Sequence, residues 1–184
     1  MRSASPHITD TLRPIAAPRG SAVALGYFDG VHLGHRAVIG AAVAAARRAG
    51  LTPAVFTFEL AEGNTLKGGR LLSRSEKYRR MAELGAREIL APPFAAFCAL
   101  TPEDFVEQVL IGCFAAKAVF CGDNFTFGAR AAGDVERLRA LCAPHGIAVT
   151  VVEMAQYGGR TVSSTRIRAA LEEGRLDDAN AMLG

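Results

Sequence analysis

The chain has 184 residues, half of them apolar, with 21% charged residues and a formal net charge of +3. This length suits one domain with a sizeable buried core. The charge is too mild to indicate a nucleic-acid partner, and a small anion accounts equally well for a few convergent arginines.

Four cysteines, Cys98, Cys113, Cys121 and Cys142, lack C-x-x-C spacing and stand in apolar surroundings, the pattern of buried free thiols in a reducing compartment. The segment Met1 to Arg19 holds no apolar stretch of the signal-peptide kind, and no apolar run approaches the roughly 20 residues that cross a bilayer. The expectation is a cytoplasmic protein with no membrane partner. Nothing in the sequence specifies an oligomeric state.

Residues 1–20 carry Pro6, Pro14, Pro18 and Gly20 without a clear period. They read as a lead-in segment with room for a short edge strand near Ile8, and residues 21–184 as the domain proper. Ser21 to Gly26 is a short apolar run, expected as a buried strand. Gly34 to Arg48 is Ala-rich, has Arg47 and Arg48 in its last turn and stops at Gly50, which predicts a helix. Pro53 to Phe58 is a second strand. Glu59 to Gly69 contains three glycines and one Asn and reads as a loop.

Ser73 with Glu76 three residues on makes a capping box for a helix to Leu84. Arg87 to Ala91 is a third strand. Thr101-Pro102-Glu103-Asp104 opens a helix with Pro at its first position and acids in its first turn; it is expected to run to about Ile111 and end at Gly112. Ala118 to Cys121 is a fourth strand, Asp123 to Ala132 a loop, and Asp134 to Ala143 a helix closed by Pro144 and Gly146. Ile147 to Val152 is a fifth strand. Ser163 or Ser164 caps a helix to Glu173, and a short helix follows Gly174. This alternation predicts an α/β fold, a Rossmann-like doubly wound parallel sheet of about five strands. Ligands of such sheets bind beyond the carboxyl ends of the strands.

Three segments carry chemistry. Gly26-Tyr27-Phe28-Asp29-Gly30-Val31-His32-Leu33-Gly34-His35 follows the first strand. Gly34 admits a ligand close to the backbone, and His32 and His35 lie three apart at a helix start, where free N–H groups favour an anion. The plain alternatives are a simple turn with surface histidines, or a zinc site; for zinc no further ligands stand at a suitable spacing. Val162-Ser163-Ser164-Thr165-Arg166-Ile167-Arg168 opens the late helix with three hydroxyls and two arginines. Cations are disfavoured at that end by the helix dipole, so their presence points to an anionic third party, and Arg suits phosphate. The alternative is a capped surface helix. Gly122-Asp123-Asn124-Phe125-Thr126-Phe127-Gly128 follows the fourth strand; Phe125 or Phe127 can stack on a planar ring and Asn124 can read its polar edge. The alternative is a turn flanked by core Phe residues.

Taken together, these three segments resemble the nucleotidylyltransferase superfamily, with its H-x-G-H turn and late S-S-T-x-x-R helix start. More closely, they resemble the adenylyltransferase module of bacterial bifunctional FAD synthetase, as do Leu100 to Val106 and Ala179 to Gly184. The resemblance covers about Ser21 to Gly184. It implies the reaction ATP + FMN → FAD + pyrophosphate, with Mg²⁺ accompanying ATP and no protein nucleophile. It implies that His32 and His35, with Arg168, are the catalytic groups. Gly26, Phe28, Asp29, Gly34, Ser163, Ser164 and Thr165 would hold ATP, with Ser164, Thr165 and Arg168 on its β- and γ-phosphates. Asp123, Asn124, Phe125 and Phe127 would face the flavin. No metal ligand from the protein is implied.

Two departures stand out. The family's Phe-x-Pro-His-Pro becomes Phe58-Glu59-Leu60-Ala61-Glu62, which suggests a flexible, acidic loop. The family's riboflavin kinase module is not in this chain, so riboflavin phosphorylation is expected to be absent and FMN to come from elsewhere. Two other readings stay open: a related nucleotidylyltransferase with another phosphate acceptor, and a non-catalytic nucleotide- or flavin-binding paralogue.

Overall fold

The computed structural model describes residues 5–61 and 69–184. These form a six-stranded parallel sheet: β1 (His7–Thr9), β2 (Ser21–Leu25), β3 (Thr52–Phe56), β4 (Glu88–Leu90), β5 (Ala116–Gly122) and β6 (Ala148–Val152), in the order β1-β4-β3-β2-β5-β6. All five predicted strands are present. The sixth is the short edge strand, pairing His7 with Glu88 and Thr9 with Leu90. The lead-in thus contributes to the sheet, and its Leu12 and Ile15 pack on the core.

β2 is buried along its whole length, as a strand covered on both faces must be. Helices α1 (Leu33–Ala49) and α2 (Arg74–Glu83) cover one face through Val38, Ile39, Ala42, Val43, Tyr78 and Met81. The other face is covered by Phe105, Val106, Val109, Leu110 and, from α4 (Val135–Cys142), Leu138 and Cys142. A third cluster joins α5 (Ser164–Glu172) and α6 (Leu176–Leu183) through Ile167, Ala170, Ala179 and Met182.

The capping residues sit where the sequence placed them: the side chains of Ser73, Thr101, Asp134 and Ser163 each accept from the backbone N–H three residues on. One helix differs. α3 (Pro102–Asp104) continues as a π-helix over Phe105–Cys113, beyond the expected stop at Gly112. Its wider i→i+5 bonds carry the turn past the glycine; the Phe114 N–H donates to the Val109 carbonyl at 3.1 Å. Cys113, Cys121 and Cys142 are buried as expected, whereas Cys98 is only half-buried. Among the described residues, no helix is long and apolar enough to cross a membrane.

From β2 the chain winds outward through β3 and β4, then returns to place β5 on the other side of β2. The strand order reverses between β2 and β5, and the crevice beyond their carboxyl ends is where such sheets bind ligands.

Candidate active site

The turn after β2 is held in an unusual backbone path. Phe28 has φ 55°, Val31 φ 43° and Gly30 φ 88°. Val31 is β-branched, so its left-handed conformation costs energy that the surroundings must offset. The compensation is visible: Phe28 and Val31 are both buried in the core facing α1. A Cβ on Gly30 would stand 2.8 Å from Leu71 Cδ1.

His32 is the N-cap of α1. Its Nδ1 faces the His35 N–H at 3.4 Å, and the two rings stack with centroids 3.5 Å apart and planes at 19°. The edge of Phe28 packs against His35 at 5.3 Å. Burial pushes the His32 pKa down to about 4. Burial, helped by the neighbouring His32 and Lys77, pushes His35 well below the ordinary histidine value. Both rings are therefore neutral at pH 7 and each can donate one N–H. His35 Nδ1 is buried without a hydrogen-bond partner, an orphan that a buried polar atom rarely tolerates without a reason.

The segments around Asp29 and Ser164, 135 positions apart, meet here. Ser164 Oγ donates to the Asp29 carbonyl at 2.8 Å. The Asp29 carboxylate accepts from the Leu71 N–H at 3.1 Å and pairs with Arg168, whose Nε donates to the Gly69 carbonyl at 2.7 Å.

Beyond the histidines opens a cavity of about 530 Å³, within the range of small-molecule sites. His32, Gly34, His35, Ser163 and Ser164 line one part of it, with Gly26, Phe28 and Met154. A Cβ on Gly34 would lie 3.3 Å from His32 Cε1 and 3.6 Å from Met154 Cε, so a side chain here would crowd the His32 ring. Asn124, Phe125 and Phe127 line the other part, together with Tyr27, Phe58, Phe94, Phe97 and Cys98. Phe125 and Phe127 are parallel at 5.9 Å. Tyr27 stacks on Phe58 at 4.7 Å, and Phe94 and Phe97 each stand 5.4 Å from Phe58.

Thus the structure brings Gly26, Phe28, His32, Gly34, His35, Ser163, Ser164, Asn124, Phe125 and Phe127 to one cavity. Asp29, Asp123, Thr165 and Arg168 do not line it. Asp29 and Arg168 brace the turn from behind, and Thr165 faces a separate surface groove with Arg160, Arg166 and Arg175. Sequence reasoning missed Tyr27, Phe58, Phe94 and Phe97. Their only signal is position, since each falls just past a strand's carboxyl end.

The loop after β3 is also tighter than expected. Glu59 and Leu60 are buried, and Glu59 bridges to Pro93. Glu62 and the residues to 68 lie outside the described part. Among the described residues, no group of three or more His, Cys, Asp or Glu is placed to hold a metal ion.

The model of the FAD synthetase family matches residues 15–166. The chain belongs to the FAD synthetase family. It is 36% identical over 168 residues to the bifunctional riboflavin kinase/FMN adenylyltransferase of Listeria monocytogenes, covering 88% of this chain and 53% of that protein. The Escherichia coli K12 protein of the same description is 34% identical, covering 92% of this chain and 56% of the relative. A Listeria monocytogenes FAD synthetase is 32% identical, covering 95% and 72%. This FAD synthetase family member spans about half the length of the bifunctional relatives it matches. Among solved structures, a Streptococcus pneumoniae protein described as a macrolide-efflux protein superposes with TM-score 0.84 at 29% identity, covering 98% of this chain and 60% of that one. Pantothenate synthetase of Thermus thermophilus, at 16% identity and TM-score 0.54, shares the α/β fold, covering 95% and 80%.

Proposed function

We propose that this chain is an FMN adenylyltransferase that converts ATP and FMN to FAD and pyrophosphate. The observation that carries the reading is the union of two features in one crevice: a pair of neutral imidazoles at a helix start, and an aromatic cavity beside them.

An FMN phosphate oxygen attacks the α-phosphorus of ATP. The new P–O bond forms as the bond to the β-phosphate bridging oxygen breaks, and the electron pair leaves with pyrophosphate. No protein nucleophile enters, so the protein contributes positioning and charge stabilisation. His32 and His35 donate N–H groups to oxygens on which charge accumulates. Neutral donors fixed in advance need no reorganisation as that charge develops. A bound triphosphate is a strong anion beside both rings, and raises their pKa. Ser164, which lines the cavity, and the N–H groups at the start of α5 are assigned to the β- and γ-phosphates. The family resemblance assigns Thr165 and Arg168 there too; both lie outside the cavity lining, and Arg168 supports the site through its pair with Asp29. Mg²⁺ arrives on ATP as part of the substrate and neutralises phosphate charge. The rings of Phe58, Phe94, Phe97, Phe125 and Phe127 offer the isoalloxazine a stacking surface, with Asn124 at its polar edge.

The test is to incubate the purified chain with ATP, Mg²⁺ and FMN and to separate the flavins by chromatography. FAD and pyrophosphate in equal amounts are expected. FMN binding without conversion, or no FAD at any enzyme concentration, overturns the reading.

A further inference from the structure

A buried cation lies against the aromatic wall and is not among the residues that line the cavity. Lys77, on α2, is 5% exposed. Its Nζ donates to the Phe58 carbonyl at 3.2 Å and sits 4.8 Å from the centroid of the Tyr27 ring. Tyr27 in turn stacks on Phe58 with planes at 27°, and its carbonyl accepts from Thr57 Oγ1 at 2.7 Å. One ammonium therefore contacts the ring of Tyr27 and the backbone carbonyl of Phe58.

Glu59 secures the lysine. Its carboxylate is 9% exposed as a residue and lies 3.6 Å from Lys77 Nζ. It accepts from Tyr78 Oη at 2.7 Å and lies 3.5 Å from both Arg70 and Arg74. Its backbone joins the wall to its neighbours: the Glu59 N–H donates to the Pro92 carbonyl at 3.0 Å, and the Glu59 carbonyl accepts from the Phe94 N–H at 2.8 Å. Phe58, Phe94 and Tyr27 are thus fixed around one ion cluster.

Burying an ammonium is costly, and an apolar residue of the same length would serve α2 equally well or better for stability alone. Among the described residues, three cations, Lys77, Arg70 and Arg74, lie within 4 Å of the Glu59 carboxylate. The contacts of Lys77 converge on the ring pair that faces the cavity.

We propose that Lys77 is a positioning residue that fixes the Tyr27–Phe58 pair through the Tyr27 ring and the Phe58 carbonyl, setting that wall for the planar ring of the acceptor, and that Glu59 holds Lys77 in place. This rests on FMN being the acceptor. Lys77 touches no substrate and acts through Tyr27 and Phe58. Its removal leaves Glu59 still paired with Arg70, Arg74 and Tyr78, so the carboxylate is not stranded.

The experiment is a titration of FMN into the purified chain, read by quenching of flavin fluorescence, alongside the KM for ATP. Lys77→Met is expected to weaken FMN binding about fivefold, less than the full worth of a desolvated cation–π contact because the lysine acts on the Tyr27 ring and not on FMN itself, with the KM for ATP within about twofold of native. Lys77→Arg keeps a cation over Tyr27 and is expected to bind FMN within about twofold of native. Tyr27→Leu removes the partner ring, so Tyr27→Leu with Lys77→Met is expected to bind no more weakly than Tyr27→Leu alone. Should Lys77→Met lose its cooperative melt, Lys77→Gln replaces it with the same expectations. Unchanged FMN affinity in Lys77→Met, an equal loss in ATP KM, an Arg variant as weak as the Met variant, or effects that multiply in the double variant each overturn the inference alone. No FMN binding by the native chain overturns the acceptor assignment as well.

Discussion

Acidification is expected to destabilise this protein through the stacked histidine pair. The His32 ring falls from the ordinary 6.5 to about 4 on burial. As pH drops below about 6.5 the unfolded chain takes up this proton first, while the folded chain resists it until about pH 4. The stability contribution is therefore complete above the unfolded value, is lost between about pH 6.5 and about pH 4, and is constant below. A shift of about 2.5 units at about 1.4 kcal/mol each gives about 3 kcal/mol. His35 shifts in the same direction and adds to the loss. The informative variant is His32→Asn, because Asn is a good N-cap and preserves the contact to the His35 N–H. Urea unfolding of the native chain and of His32→Asn from pH 7.5 to 4 measures the difference, in which the carboxylates common to both cancel. The native protein should lose about 3 kcal/mol more than the variant. Parallel curves would refute the reasoning, since they would mean that His32 is not buried in its neutral form.

Arg168→Ala leaves the Asp29 carboxylate buried without its cation and should cost roughly 3 kcal/mol in urea unfolding, most of it recovered in the double variant with Asp29→Asn. His145→Ala removes only an exposed pair with Glu107 and should leave turnover unchanged and stability within about 1 kcal/mol. ATP binding below pH 7 should be accompanied by proton uptake as the triphosphate raises the histidine pKa values; calorimetry in buffers of different ionisation enthalpy reads this directly.

The sheet was legible because its strands are short apolar runs bounded by Gly, Pro and polar turns, and because four helices announce themselves with Ser, Thr or Asp caps. The π-helix was not, since Phe105 to Cys113 has the same apolar pattern as an ordinary helix and the wider turn is a matter of backbone hydrogen bonding. His32 and His35 were legible from spacing alone, but their neutrality was not: it arises from burial and, for His35, also from the neighbouring His32 and Lys77. The aromatic wall escaped a local reading for the same reason. Tyr27, Phe58, Phe94 and Phe97 come from three separate strand ends, and only the order β4-β3-β2 brings them side by side. Glu59 shows the reverse error. A carboxylate beside a glycine-rich stretch reads as solvated, whereas Lys77, Arg70 and Arg74 on neighbouring segments draw it inward.

The most direct test of the phosphate-turn assignment is the steady-state turnover of His32→Ala and His35→Ala with ATP, Mg²⁺ and FMN. Loss of one fixed donor to developing charge typically costs roughly 10²–10³ in rate, about 3–4 kcal/mol, so each variant should fall by that factor while keeping its fold at pH 7.5. Near-normal turnover in both would contradict the account, and with it the role of the imidazole pair in the reaction.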